Sequence, residues 1–156
     1  MQLDLGFTPR KIVMIKTHSS GIGDILRSSA AWRAIKNNWP TVELHLLFLT
    51  KDYGYASEKL ISEHSLLSSA KFISIRTVVS KDSTGSANQD KRGFFSEVIH
   101  YARQVNPDLV IDFEWTGSRT SLVSWLICRM VKAKSIGIQQ FPLRRIFYSW
   151  CADSVD

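Results

Sequence analysis

Two kinds of hydrophobic segment alternate along the chain. Short continuous apolar runs predict buried strands, and segments with apolar residues every three or four positions predict helices. We expect strands at Lys11–Lys16, Val42–Leu49, Lys71–Arg76, Leu109–Ile111 and Ala133–Ile138, and helices from Asp24 to Asn38 and over Ala56–Leu67, Gly93–Val105 and Ser118–Lys132. About five alternations of strand and helix predict an α/β fold, a Rossmann-like three-layer domain with a parallel sheet.

The first strand leads into a glycine-containing loop and then a helix. The loop Thr17–Gly23 is too polar to continue the strand, and the helix begins at Asp24. Backbone N–H groups in the first turn of a helix have no partners within the helix, so they and the helix dipole favour an oxyanion. As a dinucleotide fingerprint the loop is weak, because Leu26 stands where the third glycine would be.

A second polar loop follows the fourth predicted strand. In a parallel sheet, ligands bind beyond the carboxyl ends of the strands, where the strand order reverses. If the order is 3-2-1-4-5, that crevice lies between the first and fourth strands. The loops Thr17–Asp24 and Phe113–Arg119 would then flank it from both sides.

Composition and charge narrow the function classes. The 156 residues are 44% hydrophobic, which allows one domain with a core, and the net charge of +6 suits an anionic partner. Such partners include nucleotides, phosphorylated glycolipids, membrane surfaces and nucleic acid, but no nucleic-acid motif is present and the Lys and Arg residues are scattered. Cys128 and Cys151 have neither metal-ligand nor disulfide-framework spacing, so we expect a reducing, cytoplasmic location.

Two motifs resemble a known family. Gly23-Asp24-Ile25-Leu26 precedes an alanine-rich helix, and Asp108–Glu114 is followed by Ser118-Arg119. Both are similar to the N-terminal half of glycosyltransferase family 9, which contains the ADP-heptose:lipopolysaccharide heptosyltransferases. The loop before Asp24 is longer than the family's turn, and Ser29-Ala30 replaces a frequent proline. The resemblance implies the N-terminal Rossmann-like domain of a GT-B glycosyltransferase.

The resemblance also implies site residues, and each has a structural alternative. Asp24 would be the general base that deprotonates the acceptor hydroxyl, or only a helix N-cap. Glu114 and Arg119 would bind the acceptor, or form a surface ion pair. Solvent exposure is the more common outcome for Lys16, Arg27, Arg144 and Arg145, although all four would suit an anionic acceptor. The resemblance gives these acceptor-binding residues: Ser20, Gly21, Gly23, Arg27, Glu114 and Arg119. It implies no metal and no cofactor.

We therefore expect one acceptor-side domain over residues 1–156, with an N-terminal extension at 1–10 and a tail at 139–156 leading to a missing C-terminal donor domain. The expected partners are an anionic glycolipid or oligosaccharide acceptor, and a nucleotide sugar similar to ADP-heptose only when a donor domain is present; nucleic acid is not expected. The aromatic and basic tail would contact the inner face of the cytoplasmic membrane, or would be a seam exposed by the missing second domain. The alternative is a non-enzymatic α/β module that binds a nucleotide or phosphate in the same crevice.

Overall fold

A computed structural model describes residues 5–17, 22–51, 53–54, 56–75, 93–114, 118–139 and 142–153. All five predicted strands and all four predicted helices are present. In chain order the elements are β1 Lys11–Thr17, α1 Ile22–Asn38, β2 Glu43–Thr50, α2 Ala56–Ser62, β3 Ser69–Ser74, α3 Phe94–Val105, β4 Leu109–Asp112, α4 Ser118–Val131, β5 Lys134–Gln139, a 3-10 helix Pro142–Phe147, and β6 Trp150–Asp153.

The strands form one parallel sheet in the order β3-β2-β1-β4-β5-β6. Val13 of β1 pairs with His45 of β2 on one side and with Val110 of β4 on the other. The strand order therefore reverses between β1 and β4, as predicted. The sixth strand was not predicted, and it extends the sheet beyond β5.

Helices cover both faces of the sheet. Val13 and Ile15 of β1 pack in the core with residues of α3 and α4, whereas Ile12 and Met14 pack in the core that contains Trp32 of α1. These four β1 side chains are fully buried. Burial on both faces explains why the strands are continuous apolar runs instead of alternating ones.

Both ends of the described chain belong to the domain more closely than the sequence indicated. Leu5 lies in the core, and the Phe7 ring stacks on Trp150 with 6.5 Å between centroids, so residues 5–10 are not a detached extension. The predicted tail contains the 3-10 helix and β6, whose Trp150 pairs with Ile136 of β5. The buried ring of Tyr148 and the partly buried ring of Trp150 account for this attachment.

Other differences are local. Helix α2 ends at Ser62, and His64 lies in the following turn, where its ring packs edge-on against Trp32 at 4.9 Å. His64 falls within the helix predicted over Ala56–Leu67, so the position on a helix surface that this pattern gives it is wrong. His45 is buried in β2 with Nδ1 2.8 Å from Ser69 Oγ. The polar sequence of Val79–Arg92 predicts a surface loop, and it lies outside the described residues.

Gly137 in β5 supports the ring of Tyr148. A Cβ atom at this position would lie closer than 3.0 Å to three ring carbons of Tyr148. We expect Gly137→Ala to displace that ring and to lower the free energy of unfolding by about 3 kcal/mol, as overpacked sites do. Urea denaturation followed by circular dichroism measures this change.

Gly23→Ala is the matched control, because nothing lies within 4 Å of its Cβ position inside α1. Alanine favours a helix over glycine by roughly 0.5–1 kcal/mol, so this variant should be as stable as the parent or more so. Equal stability of Gly137→Ala and the parent would show that Tyr148 is not held against β5.

Candidate functional site

Glu114 connects the two loops that flank the strand-order reversal. Its side chain is buried just beyond β4, and its Oε1 accepts a hydrogen bond of 2.9 Å from the backbone N–H of Thr17 at the end of β1. The same oxygen lies 3.4 Å from the Nζ atom of Lys16, which is also largely buried. The carboxylate therefore fixes the exit of β1 relative to the exit of β4.

Asp112 shapes the chain between β4 and Glu114. Its Oδ1 accepts a 2.9 Å hydrogen bond from the N–H of Glu114, two residues ahead. This Asx-turn bends the backbone as it leaves the sheet. The N–H of Phe113 donates to Ile15 O at 3.2 Å, so β4 stays attached to β1 up to this turn.

The Arg144 guanidinium is buried and holds this turn from the other side. Its Nη2 donates to the carbonyl oxygen of Glu114 at 2.8 Å, to Asp112 Oδ2 at 3.2 Å and to the Tyr148 hydroxyl at 2.9 Å. Its Nε donates to Ser121 Oγ of α4 at 2.9 Å. One side chain of the 3-10 helix thus joins β4, the β4–α4 loop and α4.

Tyr148 completes the buried network. Its hydroxyl donates to Asp112 Oδ2 and lies 2.8 Å from Ser121 Oγ. Burial raises the pKa of Tyr148, and the Asp112 carboxylate raises it further, so the phenol remains a donor. Burial also raises the pKa of Asp112, while hydrogen bonds from Tyr148 and Glu114 N–H and the charge of Arg144 act in the opposite direction.

Asp24 lies in the first turn of α1, near the end of the sheet where β1 terminates. Because the helix begins at Ile22, Asp24 is its third residue and not its N-cap. Its side chain is partly exposed, and its Oδ1 lies 3.6 Å from Nη1 of the exposed Arg27.

Gly23 has open space where a Cβ would be, so a tight turn does not require glycine there. Ser20 and Gly21 lie outside the described residues.

Several alternatives from the sequence are now decided. Glu114 pairs with Lys16, so the surface ion pair between Glu114 and Arg119 is wrong; Arg119 lies exposed in the first turn of α4. Solvent exposure was the more common outcome expected for Lys16 and Arg144, and both are largely buried. Arg145, the neighbour of Arg144, is exposed as expected.

Sequence reasoning missed three members of the network, which are Asp112, Ser121 and Tyr148. An acidic residue at the last position of a buried strand was one available signal. The spacing of Arg144 and Tyr148 by four residues was another, because it places them one helical turn apart. Ser121 gave no signal, since serine on a helix is usually exposed.

Metal-ligand clusters, surface grooves and membrane-spanning helices are the other features that could mark a site among the described residues. Among the described residues, no group of three His, Cys, Asp or Glu side chains could hold a metal ion. A groove of about 440 Å³ lies beside Arg33, Leu60 and His64, on the side of the sheet that α1 and α2 cover. None of the predicted site residues lines it. No described helix combines the length and the apolar composition needed to cross a lipid bilayer.

The fold occurs in known glycosyltransferases. The structure superposes on Escherichia coli heptosyltransferase WaaC with ADP at a TM-score of 0.57 and 16% identity, over 94% of this chain and 42% of that chain. It superposes on Phytolacca americana UGT2, complexed with UDP-2-fluoro-glucose and pterostilbene, at a TM-score of 0.53 and 12% identity, over 88% of this chain and 31% of that one.

These comparisons confirm the predicted Rossmann-like fold of a GT-B glycosyltransferase. The chain spans 42% and 31% of the lengths of these two proteins. No protein-family model matches the sequence, and a search of curated proteins finds no match.

Arg144→Met tests the buried network. The substitution keeps an apolar stem but leaves Asp112 buried without its charge partner, which commonly costs about 3 kcal/mol or more. Arg145→Met is the control, because Arg145 is exposed and the same change there should cost less than about 0.5 kcal/mol. Thermal and urea unfolding of both variants would measure the difference, and similar losses in the two would contradict the network.

Proposed function

We propose that this chain is the acceptor-binding N-terminal domain of an inverting glycosyltransferase that transfers a heptose-type sugar to a lipopolysaccharide core acceptor. The observation that carries the proposal is the Glu114 contact with Lys16 and Thr17, which ties the end of β1 to the end of β4 at the strand-order reversal of a GT-B fold. The motifs around Asp24 and Glu114, which are similar to those of glycosyltransferase family 9, support the acceptor class.

In this proposal Glu114 positions the end of β1 and does not contact the acceptor. Its carboxylate is already occupied by Thr17 N–H and Lys16, so it fixes the end of β1 and does not itself bind sugar. This changes the role expected from the sequence, in which Glu114 contacts the acceptor. The exposed side chains available for binding are Arg27 and Arg119, each in the first or second turn of a helix that follows β1 or β4.

An anionic acceptor fits these two arginines. Guanidinium groups bind phosphate and carboxylate oxygens through paired N–H donors, with planar geometry that favours such groups over neutral hydroxyls. The N-termini of α1 and α4 add unpaired backbone N–H groups at the same edge of the sheet. Phosphorylated core oligosaccharide or its lipid-linked form combines these anionic groups with an acceptor hydroxyl.

Asp24 is the proposed general base. Its partly exposed carboxylate would take the proton of the acceptor hydroxyl as that oxygen bonds to the anomeric carbon of the donor sugar. The bond from the anomeric carbon to the diphosphate breaks on the opposite face, which inverts the configuration. The nucleotide diphosphate leaves with that electron pair.

The donor side of the reaction belongs to a second domain in this proposal. Stabilisation of the departing diphosphate is commonly the largest catalytic contribution. Among the described cations around Glu114, Lys16 and Arg144 are held in buried contacts, and the exposed Arg27 and Arg119 are assigned to the acceptor. An ADP-heptose-like donor would therefore bind only when a donor domain faces this crevice. We place the reaction in the cytoplasm, at the inner face of the cytoplasmic membrane.

Asp24→Asn tests the base in a protein that joins this chain to a donor-binding domain. Asparagine keeps the size of the side chain but cannot accept the proton, so transfer should fall by roughly 10²-fold with the acceptor saturating. Acceptor affinity, measured by titration calorimetry, should stay within about twofold because binding is assigned to the arginines. Stability should change by less than about 1 kcal/mol, since only a dipole and an exposed ion pair are lost.

Glu97→Gln is the matched control, because Glu97 is the acidic residue in the first turn of α3, a helix that is not part of the crevice. It should leave both transfer and acceptor affinity at parent values. Parent-like transfer by Asp24→Asn would remove Asp24 as the base. Binding of ADP or phosphate with no affinity for saccharide would instead support the non-enzymatic module.

A further inference from the structure

One segment of the sequence accounts for the net positive charge of the chain. Between Trp115 and Ala152 the sequence contains six Lys and Arg residues and no Asp or Glu. The remaining chain contains fourteen of the 20 Lys and Arg residues and all 14 Asp and Glu residues. The cations are spread along the whole sequence, but the acidic residues are not. The net charge of +6 therefore belongs to the segment that forms α4, β5 and the 3-10 helix.

The cations of this segment point outward with one exception. Arg144 is buried in the network described above, and the other five are exposed. Within the described ranges none of these five forms an ion pair with a carboxylate. The five are Arg119, Arg129, Lys132, Lys134 and Arg145. Their charge is thus available to a partner.

Large apolar side chains are exposed among these cations. Leu143 and Ile146 of the 3-10 helix are 77% and 73% exposed, the highest values for large apolar residues in the described chain. On α4, Leu122 and Trp125 are also exposed, at positions three residues apart. The 3-10 helix and α4 lie side by side, joined by the hydrogen bond from Arg144 to Ser121. We call the exposed residues of these two elements the α4 face: Arg119, Leu122, Trp125, Arg129, Leu143, Arg145 and Ile146.

We propose that the α4 face binds the surface of an anionic lipid bilayer. Leucine, isoleucine and tryptophan side chains would enter the boundary between headgroups and acyl chains, and the arginines would contact lipid phosphates. The inference rests on the membrane placement in the proposed function but not on the chemistry at Asp24, and the face shares only Arg119 with the proposed acceptor site.

The composition of the face favours lipid over other occupants. A second copy of the chain would bring the same arginines together with no acidic residue of the face to pair with them. Nucleic acid would use the arginines but would leave the aliphatic Leu143 and Ile146 in water. Asp112 and Glu114 contact Arg144 but are buried, and Glu97 of α3, Asp108 before β4 and Asp153 at the end of β6 lie on other elements. None of these lies on α4 or the 3-10 helix.

Vesicle co-sedimentation tests the proposal with the chain itself. We expect it to bind vesicles of phosphatidylcholine with 30% phosphatidylglycerol, and to bind pure phosphatidylcholine vesicles at least tenfold more weakly. Leu143→Ser combined with Ile146→Ser should reduce binding to the anionic vesicles at least tenfold. Arg129→Ser combined with Arg145→Ser should reduce it roughly 25-fold at low salt, on the order of fivefold for each cation.

Matched variants lie on the opposite layer of the domain. Leu60→Ser and Arg33→Ser change an exposed leucine and an exposed arginine of α2 and α1, and both should bind vesicles like the parent. Thermal unfolding of every variant establishes that the fold is retained. Equal binding to both kinds of vesicle, equal loss in all variants, no binding, or binding that is lost when the chain is joined to a donor-binding domain would overturn the proposal. So would a parent dimer in sedimentation equilibrium that dissociates in Leu143→Ser with Ile146→Ser, since the face would then bind a second copy.

Discussion

The buried guanidinium of Arg144 is the interaction on which the rest of this structure depends. A charge removed from water is tolerated only when its donors have partners, because desolvation of an unpaired ion costs several kcal/mol. Arg144 meets this requirement with oxygens from three places, which are Asp112 at the end of β4, Glu114 in the following loop and Ser121 on α4. The guanidinium therefore fixes the end of β4, the following loop and α4 relative to one another.

The contacts of Arg144 also determine the geometry of the candidate site. Arg144 holds the carbonyl oxygen of Glu114, and the carboxylate of the same residue holds Thr17 N–H and Lys16 at the end of β1. A constraint that begins in the 3-10 helix therefore reaches the end of β1. This explains why the segment after β5 is attached to the sheet. Arg144 anchors the 3-10 helix from inside, while its neighbours Leu143, Arg145 and Ile146 are exposed.

The sequence predicted the sheet and its reversal point well, because buried parallel strands are distinctive. Ile12 to Ile15 are apolar at every position, and only a strand covered on both faces requires that. The sequence did not predict β6, since Trp150-Cys151-Ala152-Asp153 is short and has no strong strand pattern. It also favoured exposure for Lys16 and Arg144, because the burial of a cation depends on partners that are distant in sequence. Glu114 lies 98 residues from Lys16 and 30 from Arg144.

The most direct test is the binding position of an acceptor on the isotopically labelled chain. In nuclear magnetic resonance spectra, a phosphorylated core oligosaccharide should shift the backbone amide signals of Thr17, Asp24, Arg27, Glu114 and Arg119 in a saturable manner. The signals of Arg33, Leu60 and His64, around the separate groove, should not move. Saturable shifts confined to that groove, with the signals of Thr17 and Glu114 unchanged, would contradict the assignment of the acceptor site to the crevice between β1 and β4.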